Sequence, residues 1–254
     1  MPQKTWTRDE LLIAFNLYCR IPFGQLRHGN SEIIKFAEKI GRTPSALSMK
    51  LCNFASFDPS HQKRNVAGLK HSGKGDKKIW DEFNQNWEKL AFESQQALER
   101  VAGLKQIESY EELQLPDGPT ETLRNVRVRL VQNFFRDSVL ASYKFVCSFC
   151  SLSMTQMLCA SHIVPWSKNI EKRADPRNGI CLCTFHDRAF DRGLVTIDDD
   201  LKIVISDRVM KMKTSPLHDA GFVKLHGNKI ILPEKFKPDE YSLEYHRSKI
   251  FINN

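Results

Sequence analysis

Apolar residues recur every three or four positions through the first part of the chain, which is the spacing of helices with one buried face. Residues 11–18 form the first such run, and Thr7-Arg-Asp-Glu10 precedes it. A threonine three residues before a glutamate is the pattern of a capping box, so we expect the first helix to begin directly after Thr7. A second helix is predicted over residues 31–40, with Ser31 as its N-cap.

A turn at Gly41 separates the second helix from a third, which begins at Thr43-Pro44 because proline suits the first helical position. The string EIIKFAEKIGRTPSALSMKLCNF resembles a helix-turn-helix with residues 43–53 as the recognition helix, whose N-terminal residues approach base edges. The alternative is a small helical bundle with no role in nucleic-acid binding. The candidate DNA contacts are the polar residues of this segment: Arg42, Ser45, Ser48 and Lys50.

Residues 61–78 are rich in glycine and lysine and include the string KHSGKGDKK. This composition predicts a basic loop, which is either simply solvated or in contact with the phosphates of a nucleic acid. Trp80, Phe83 and Trp87 follow at helical spacing. We interpret these aromatic residues as core packing rather than as a surface for base stacking.

After Pro116, Gly118 and Pro119 break the chain, the string TLRNVRVRLVQNFFRDSVLASY predicts a long amphipathic helix. Its polar face carries arginines, and a guanidinium group matches the geometry of a phosphate through paired hydrogen bonds. The candidates to bind backbone phosphates are Arg127, Arg129 and Arg136.

The C-terminal part is predicted to contain short strands. Beyond Gly193, the expected C-cap of a preceding helix, the string LVTIDDDLKIVIS alternates between apolar and polar residues and predicts a hairpin that turns at residues 198–200. The string FVKLHGNKIILP predicts a second hairpin around Gly227-Asn228. His246, in the tail, is interpreted as a structural residue or as a phosphate contact.

The composition narrows the possible partners. A net charge of +8 in 254 residues favours a polyanionic partner, and the length suffices for two domains. The chain has seven cysteines, an odd number, and residues 1–30 show no secretory leader. Both observations favour a reducing cytoplasm and metal ligation over disulfides. Since no apolar run approaches the roughly 20 residues that cross a bilayer, we expect no membrane partner.

Two short pairs of residues have the spacing of a structural zinc site, which takes four cysteine or histidine ligands in a tetrahedron. Cys147 and Cys150 form a C-x2-C pair, and Cys183 and His186 form a C-x2-H pair. Cys181 is an alternative to Cys183, because residues two apart on a strand point to the same side. The competing interpretation is that these cysteines are small buried apolar residues.

Two aspartates indicate a second and chemically different cation site. Asp187 and Asp191 lie four residues apart, so on a helix their carboxylates share one face. Hard oxygen ligands suit Mg²⁺ or Mn²⁺ rather than zinc. By spacing alone, such a pair is more often a solvated helix face.

The strings SHIVPW, DPRNGICL and HDRAFDRGLVTID follow the first cysteine pair, and in this order they resemble HNH endonucleases of the bacterial restriction type. The resemblance covers roughly residues 120–254 and implies a ββα-metal fold, with a histidine on a strand and metal ligands on the following helix. It implies that His162 is the general base and that Asn178 keeps the histidine strand oriented. A neutral imidazole, with a pKa near 6.5, can accept a proton from water.

Two positions depart from the pattern of this family. Ser161 stands before the base, where relatives often carry a metal ligand, and Asp187 stands where many relatives carry the last histidine. The catalytic cation therefore has few strong protein ligands. His186 is assigned to zinc but can instead serve this cation, and Cys181 or Cys159 would then have to complete the zinc site.

These observations predict an α+β protein of two domains. Residues 1–95 form a helix-turn-helix-like, all-α DNA-recognition domain, residues 96–120 a linker, and residues 121–254 a zinc-stabilised HNH nuclease domain. The expected activity is one-metal hydrolysis of double-stranded DNA in a restriction role. The target sequence, the response to modified bases and the formation of a homodimer stay open. The alternatives are a nicking or structure-dependent nuclease of repair or mobile elements and a catalytically inactive DNA-binding regulator.

Overall fold

The computed structural model describes residues 5–62, 73–103 and 121–253. Helices form the N-terminal part, and two small antiparallel sheets lie in the C-terminal part. The helices are α1 (Arg8–Arg20), α2 (Ser31–Lys39), α3 (Pro44–Ala55), α4 (Pro59–Gln62), α5 (Lys74–Gln85), α6 (Trp87–Ala102), α7 (Glu121–Ser142), α8 (Thr184–Asp191), α9 (Asp207–Met210), α10 (Pro216–Gly221) and α11 (Glu240–Lys249). The strands are β1 (Leu158–His162), β2 (Gly179–Cys183), β3 (Val195–Ile197) and β4 (Ile203–Ile205).

Local sequence signals set the starts of α1 and α3 as predicted. Thr7 Oγ1 accepts a hydrogen bond from the amide of Glu10 at 3.3 Å, and Glu10 Oε2 accepts one from the amide of Thr7 at 2.8 Å. Thr43 caps α3, with Pro44 as the first helical residue. Gly41 has a φ of 65°, in the left-handed region that favours glycine at a turn.

The predicted N-cap of α2 is wrong by one residue. Asn30, not Ser31, caps this helix, because its side-chain oxygen accepts hydrogen bonds from the amides of Glu32 and Ile33. An asparagine and a serine in succession are both good caps, so composition alone does not decide between them.

Parts of the predicted basic loop and of the predicted linker are helical instead. Helix α5 begins at Lys74, so a loop over residues 74–78 is wrong, and α6 continues to Ala102, so residues 96–102 are helical. Residues 63–72 of the loop lie outside the described residues, as do the chain breaks at Pro116, Gly118 and Pro119. The division of the chain into two domains stays a prediction.

Helix α1 lies at the centre of the N-terminal core and contacts α3, α5, α6 and α7. Its Phe15 stacks on Phe83 with 4.0 Å between ring centroids, and the rings of Trp80 and Trp87 lie against Phe15. All four residues are buried, which confirms the interpretation of the aromatic stripe as core packing. Asn86 divides the stripe between α5 and α6.

The predicted long helix is confirmed as α7, which contributes to two cores rather than one. The buried side chains that it adds to the N-terminal core are Leu130, Val131 and Phe134. Those that it adds to the C-terminal core are Phe135, Val139 and Leu140. The helical part and the sheet-containing part are therefore packed on opposite sides of the same helix.

A buried lysine forms a second link between the two parts. Lys235 donates hydrogen bonds from Nζ to the backbone carbonyls of Tyr18, Cys19 and Ile21 at the end of α1. These carbonyls are the negative end of the helix dipole, where a cation is favoured. Burial lowers the pKa of Lys235 to about 8.

The first sheet packs directly on α7. Strands β1 and β2 are antiparallel, with His162 opposite Gly179. A Cβ atom on Gly179 would lie 2.3 Å from Val139 Cγ2 and 2.9 Å from Phe135 Cζ. The absence of a side chain at Gly179 therefore lets strands β1 and β2 pack closely on α7.

Replacing Gly179 with alanine should lower the free energy of unfolding by about 1–3 kcal/mol, the usual range for overpacking a core. Thermal or urea denaturation measures the change. Gly29→Ala is the matched control, because a Cβ at Gly29 meets no atom within 4 Å. Equal stability of the two variants would contradict the close packing of β2 on α7.

The first of the two predicted C-terminal hairpins is confirmed, and the second is wrong. Strands β3 and β4 pair across residues 198–202 as expected. The backbone amides around Gly227 instead donate hydrogen bonds to other segments. The amide of Gly227 donates to the carbonyl of Ile203, that of Ile230 to Leu201, and that of Ile231 to Ser148. Arg192, not Gly193, is the C-cap of α8; Gly193 follows it with a φ of 66°, in the left-handed region that favours glycine just after a helix.

Candidate active site and metal centre

Strands β1 and β2 and helix α8 form a compact ββα unit. Helix α8 begins directly after β2, so it returns across the sheet and brings Asp187 near the end of β1, where His162 lies. Both residues line a cleft of about 370 Å³. The other residues that line it are Gln132, Asn133, Phe135, Arg136, Cys159 and Ala160.

The His162 ring is fixed from three sides. It stacks on Phe135 with 3.8 Å between ring centroids, and its edge meets Trp166. Its Nε2 lies 3.0 Å from the carbonyl oxygen of Arg173, which can only accept. Nε2 therefore carries the proton of the neutral ring, and Nδ1 is left to accept one. Burial lowers the pKa of His162, although the Arg173 carbonyl and the charge of Asp187 act in the opposite direction.

Asn178 holds the loop that follows His162. Its amide oxygen accepts a hydrogen bond from the amide of Val164 at 2.8 Å, and its Nδ2 donates to the carbonyls of Val164 and Lys172. The side chain is completely buried. This geometry makes Asn178 a positioning residue for the histidine loop, since it reaches no surface of the cleft.

The two predicted cation ligands occupy different environments. Asp187 is half-buried and lines the cleft, whereas Asp191 is exposed and is not part of the cleft lining. Partial burial raises the pKa of Asp191, and the negative charge of Asp187 raises it further. Within the described residues, His162, Asp187 and Asp191 do not form a group of three at metal-binding distances.

The four predicted zinc ligands come together. The ligand atoms of Cys147, Cys150, Cys183 and His186 all lie within 4.8 Å of one another. Cys183 Sγ is 3.9 Å from Cys150 Sγ and 3.2 Å from His186 Nδ1, and Cys147 Sγ is 3.7 Å from His186 Nδ1. Ligands about 2.0–2.3 Å from a central zinc ion have comparable separations. The cluster can therefore hold zinc, and Cys181 is not part of it.

His186 has the second contact that zinc-binding histidines usually make. Its Nδ1 faces the sulfur atoms, while its Nε2 lies 2.9 Å from the carbonyl oxygen of Gly221. That carbonyl fixes a proton on Nε2, so Nδ1 is the nitrogen that faces the position of the metal. The structure thus places His186 with the cysteines and not in the cleft with His162.

The electrostatics of the cluster favour a thiolate. Hydrogen bonds with Cys147 and Cys150 hold the pKa of Cys183 far below its usual range, and bonds with Cys150 and Cys183 raise that of Cys147. Burial lowers the pKa of His186, but hydrogen bonds to Cys147 and Cys183 outweigh it and raise the pKa to about 10. A thiolate is the form of cysteine that binds zinc.

The candidate DNA contacts of α3 are mostly engaged within the protein. Arg42 donates two hydrogen bonds to the carboxylate of Glu10, at 3.1 and 2.8 Å. Lys50 contacts both carboxylate oxygens of Asp76, at 2.7 and 2.9 Å. These side chains would have to leave their partners to reach DNA.

The two serines of the same segment differ from each other. Ser48 donates a hydrogen bond from its hydroxyl group to the carbonyl of Leu26 at 2.7 Å. Ser45 is exposed. Helices α2 and α3 contact each other across the turn at Gly41, but the helix-turn-helix interpretation and its DNA contacts stay predictions.

Two of the three candidate arginines of α7 remain exposed. Arg129 and Arg136 are exposed at positions seven residues apart, and Gln132 and Asn133 between them are exposed as well. Arg136, Gln132 and Asn133 line the cleft. Arg127 is instead paired with Glu88 at 2.6 Å.

Several residues of the cleft were not predicted from the sequence. Gln132 and Asn133 share the helical spacing of Arg129 and Arg136, and this signal could have identified them. Cys159 carried no such signal; burial raises its pKa to about 11, and the charge of Asp187 contributes. Ser161 is buried, and its Oγ has no hydrogen-bond partner among the described residues.

The family model described as HNH endonuclease matches residues 147–198. The chain therefore carries an HNH endonuclease domain, which spans the cysteine–histidine cluster, β1, β2, α8 and β3. The family supports a nuclease that uses metal ions. No curated protein matches the chain. None of the helices in the described part of the chain has the length and apolar character to cross a membrane.

Proposed function

We propose that this protein is a restriction-type endonuclease that hydrolyses phosphodiester bonds of double-stranded DNA by a one-metal mechanism. The observation that carries the proposal is the cleft itself, in which the His162 imidazole and the Asp187 carboxylate lie beside the exposed polar face of α7. The matched HNH domain supplies the reaction class. The proposed activity is sensitive to modification of the bases.

His162 is the proposed general base. Its ring is held by Phe135 and by the Arg173 carbonyl, so it loses little orientational freedom when DNA binds. In the neutral form, Nδ1 accepts a proton from the attacking water. Asn178 acts indirectly, because it maintains the loop that carries the Arg173 carbonyl.

Asp187 and Asp191 are the proposed ligands of Mg²⁺ or Mn²⁺. Burial raises the pKa of Asp191, and the negative charge of Asp187 raises it further; a cation close to both carboxylates would offset this. When bound, this cation polarises a phosphate oxygen and stabilises the charge that develops on the leaving oxygen. Asp187 is the stronger candidate, because it lines the cleft.

Arg129 and Arg136 are the proposed phosphate contacts. Both are exposed on one face of α7, and Arg136 borders the cleft beside His162 and Asp187. Guanidinium groups in this position bind the DNA backbone without reading its sequence. The proposed DNA-reading residues are Arg42, Ser45, Ser48 and Lys50. To reach DNA, the side chains of Arg42, Ser48 and Lys50 would have to leave Glu10, Leu26 and Asp76.

The zinc ion has a structural role in this proposal. Its ligands come from the knuckle at Cys147 and Cys150 and from the junction of β2 with α8 at Cys183 and His186. Binding zinc therefore fixes the start of the helix that carries Asp187. All seven cysteines are free thiols, as zinc ligation in a reducing cytoplasm requires.

Digestion of supercoiled plasmid tests the proposal. The zinc-loaded protein is incubated with Mg²⁺, with Mn²⁺ or with neither ion, and discrete linear fragments that depend on the added ion are expected. Open circles would favour the nicking alternative. DNA binding without cleavage would favour the inactive regulator. Two observations support that alternative: Asp191 is exposed, and Ser161 stands where relatives often carry a metal ligand.

A double-strand break needs two cuts, so we further propose that two copies act on one site. Sedimentation of the protein with and without a cleavable duplex measures this directly. A monomer on DNA that still produces linear fragments would exclude the homodimer.

The acid limit of cleavage should lie below pH 6.5. A protonated imidazole cannot accept a proton, so kcat/KM falls as the pH decreases through the pKa of His162, which burial lowers from its ordinary value of 6.5. The rate should therefore be retained at pH values where an exposed histidine is already half protonated. A pH profile at saturating Mg²⁺ measures the limit, and a midpoint above 6.5 would contradict the buried base.

A further inference from the structure

A second cleft lies where the helical part meets the loop before Asn178. It has two lobes, of about 220 and 290 Å³, and both are lined by Asn84 and Arg177. We call it the junction cleft. Each lobe is slightly smaller than the roughly 300–1,000 Å³ of small-molecule sites, and their summed volume lies within that range.

Two of the residues that line the smaller lobe, Trp80 and Phe236, are aromatic, and we call it the aromatic lobe. The rings of Trp80 and Phe236, which line it, are inclined by only 18° to each other. The nearby carboxylate of Asp58 already accepts hydrogen bonds from Tyr18 and from the amides of Ser60 and Phe236. It therefore has little capacity for a further donor. Aromatic surfaces of this kind bind flat, unsaturated rings, as nucleic-acid proteins do with bases.

Two residues that line the larger lobe have buried polar atoms without partners among the described residues. Trp87 and Glu88 line it and are nine-tenths or more buried, yet Trp87 Nε1 and Glu88 Oε2 form no hydrogen bond with the described residues. Buried polar atoms are almost always paired in folded proteins. A donor and an acceptor carried by two residues of the same lobe suit the hydrogen-bonding edge of a base.

A cationic group lies between the two lobes. Arg177 uses Nε and Nη2 to hold Asp175, which leaves Nη1 without a hydrogen bond to the described residues. Lys237 lines the smaller lobe and is exposed, with no ion pair to a described residue. These two cations can bind a phosphate at the entrance of the aromatic lobe.

We propose that the junction cleft binds a single deoxynucleotide. Its base would occupy the aromatic lobe, its hydrogen-bonding edge would meet Asn84, Trp87 and Glu88, and its phosphate would bind Arg177 and Lys237. The occupant is either a base turned out of the DNA substrate or a free nucleotide, which share this chemistry. The first source rests on the proposed function.

The position of the cleft connects its occupant to the active site. Residues 170–177 form one wall, and this loop also supplies the Arg173 carbonyl to His162 and the Lys172 carbonyl to Asn178. Nucleotide binding therefore acts on the loop that orients the base of the reaction. Recognition of one nucleotide at this site would make cleavage depend on its identity or modification.

Fluorescence of the full-length, zinc-loaded protein without Mg²⁺ or Mn²⁺ tests the inference. Titration with dAMP, dCMP, dGMP and dTMP should quench the indole emission, because Trp80 and Trp87 line the cleft. A duplex that carries 2-aminopurine reports a base leaving the stack by a rise in its own emission. Asn84→Ala and Lys237→Glu should each weaken the response by about tenfold or more, about 1.4 kcal/mol. Lys213→Glu, the same change at an exposed site outside the cleft, should not.

Each result decides the inference. A response to the duplex that depends on Asn84 and Lys237 identifies a turned-out base, and a response to mononucleotides alone identifies a free nucleotide. No response in either arm, or unchanged binding by both variants, overturns it. A protein that cleaves plasmid but shows no response refutes the junction cleft alone, whereas one that binds nucleotides but does not cleave DNA refutes the proposed function alone.

Discussion

The His162→Ala variant should lose DNA cleavage by roughly 10²–10⁴-fold, the usual contribution of a general base. The imidazole is the group of the cleft that can accept a proton from water near neutral pH, because its Nε2 is committed to the Arg173 carbonyl and its Nδ1 is not. Cleavage rates on a short duplex at saturating Mg²⁺ measure the loss. Binding of the same duplex without a divalent ion should change little.

The control for this variant is His28→Ala, which removes an exposed histidine outside the cleft. Both variants should retain zinc, since His162 is not one of the four clustered ligands. Parallel losses of zinc and of cleavage in the His162 variant would show that the residue is structural. Restored cleavage by added imidazole would support the role of a proton acceptor.

Removing zinc should unfold the C-terminal core, and this is the largest stability change that we expect. Structural zinc contributes about 10–16 kcal/mol in zinc-finger peptides, whereas a whole domain is stable by about 5–15 kcal/mol. Cys150→Ser should therefore lose both the metal and the cooperative unfolding transition of residues around β1, β2 and α8. Metal analysis and thermal denaturation measure the two effects.

Cys52→Ser is the matched control for the zinc ligand, because Cys52 lies on α3 and outside the cluster. Its zinc content should equal that of the unmodified protein, and its transition temperature should change little. A Cys150 variant with full zinc content would contradict the assignment of the four ligands. A variant that loses zinc but keeps its transition would contradict a structural role for the metal.

The sequence was informative where local chemistry decides the structure. A threonine and a glutamate three residues apart form the capping box that their spacing predicts. Cys183 and His186 are close in the chain, and the start of α8 fixes their spacing. Gly193 follows the helix with the positive φ that its position predicts. Short-range patterns therefore located much of the metal centre.

Contacts between segments that are distant in the chain could not be predicted from the sequence. The pairing of Lys50 with Asp76 joins α3 to α5, and no local pattern distinguishes it from a lysine that faces DNA. The expected second hairpin failed for a similar reason, because the amide of Ile231 pairs with Ser148 across a large sequence separation. Local propensity predicted a turn at Gly227. The backbone amides around it form hydrogen bonds with other segments instead of a hairpin ladder.

The cleft depends both on residues that local motifs identify and on contacts between distant segments. His162 and Asp187 could be named from motifs, but their approach depends on the packing of β1 against α8 and α7. The orientation of His162 depends on the Phe135 ring and the Arg173 carbonyl, neither of which is a motif residue. The separation of Asp191 from the cleft lining likewise became visible only in three dimensions.

The hydrogen bonds between Lys235 and the end of α1 affect how this chain can be divided into fragments. A fragment that starts at residue 121 would keep this ammonium group but lose all three carbonyl acceptors, and it would also uncover Phe134 and Phe236. We therefore expect an excised catalytic fragment to aggregate. Co-expression with the missing N-terminal fragment should return it to solution.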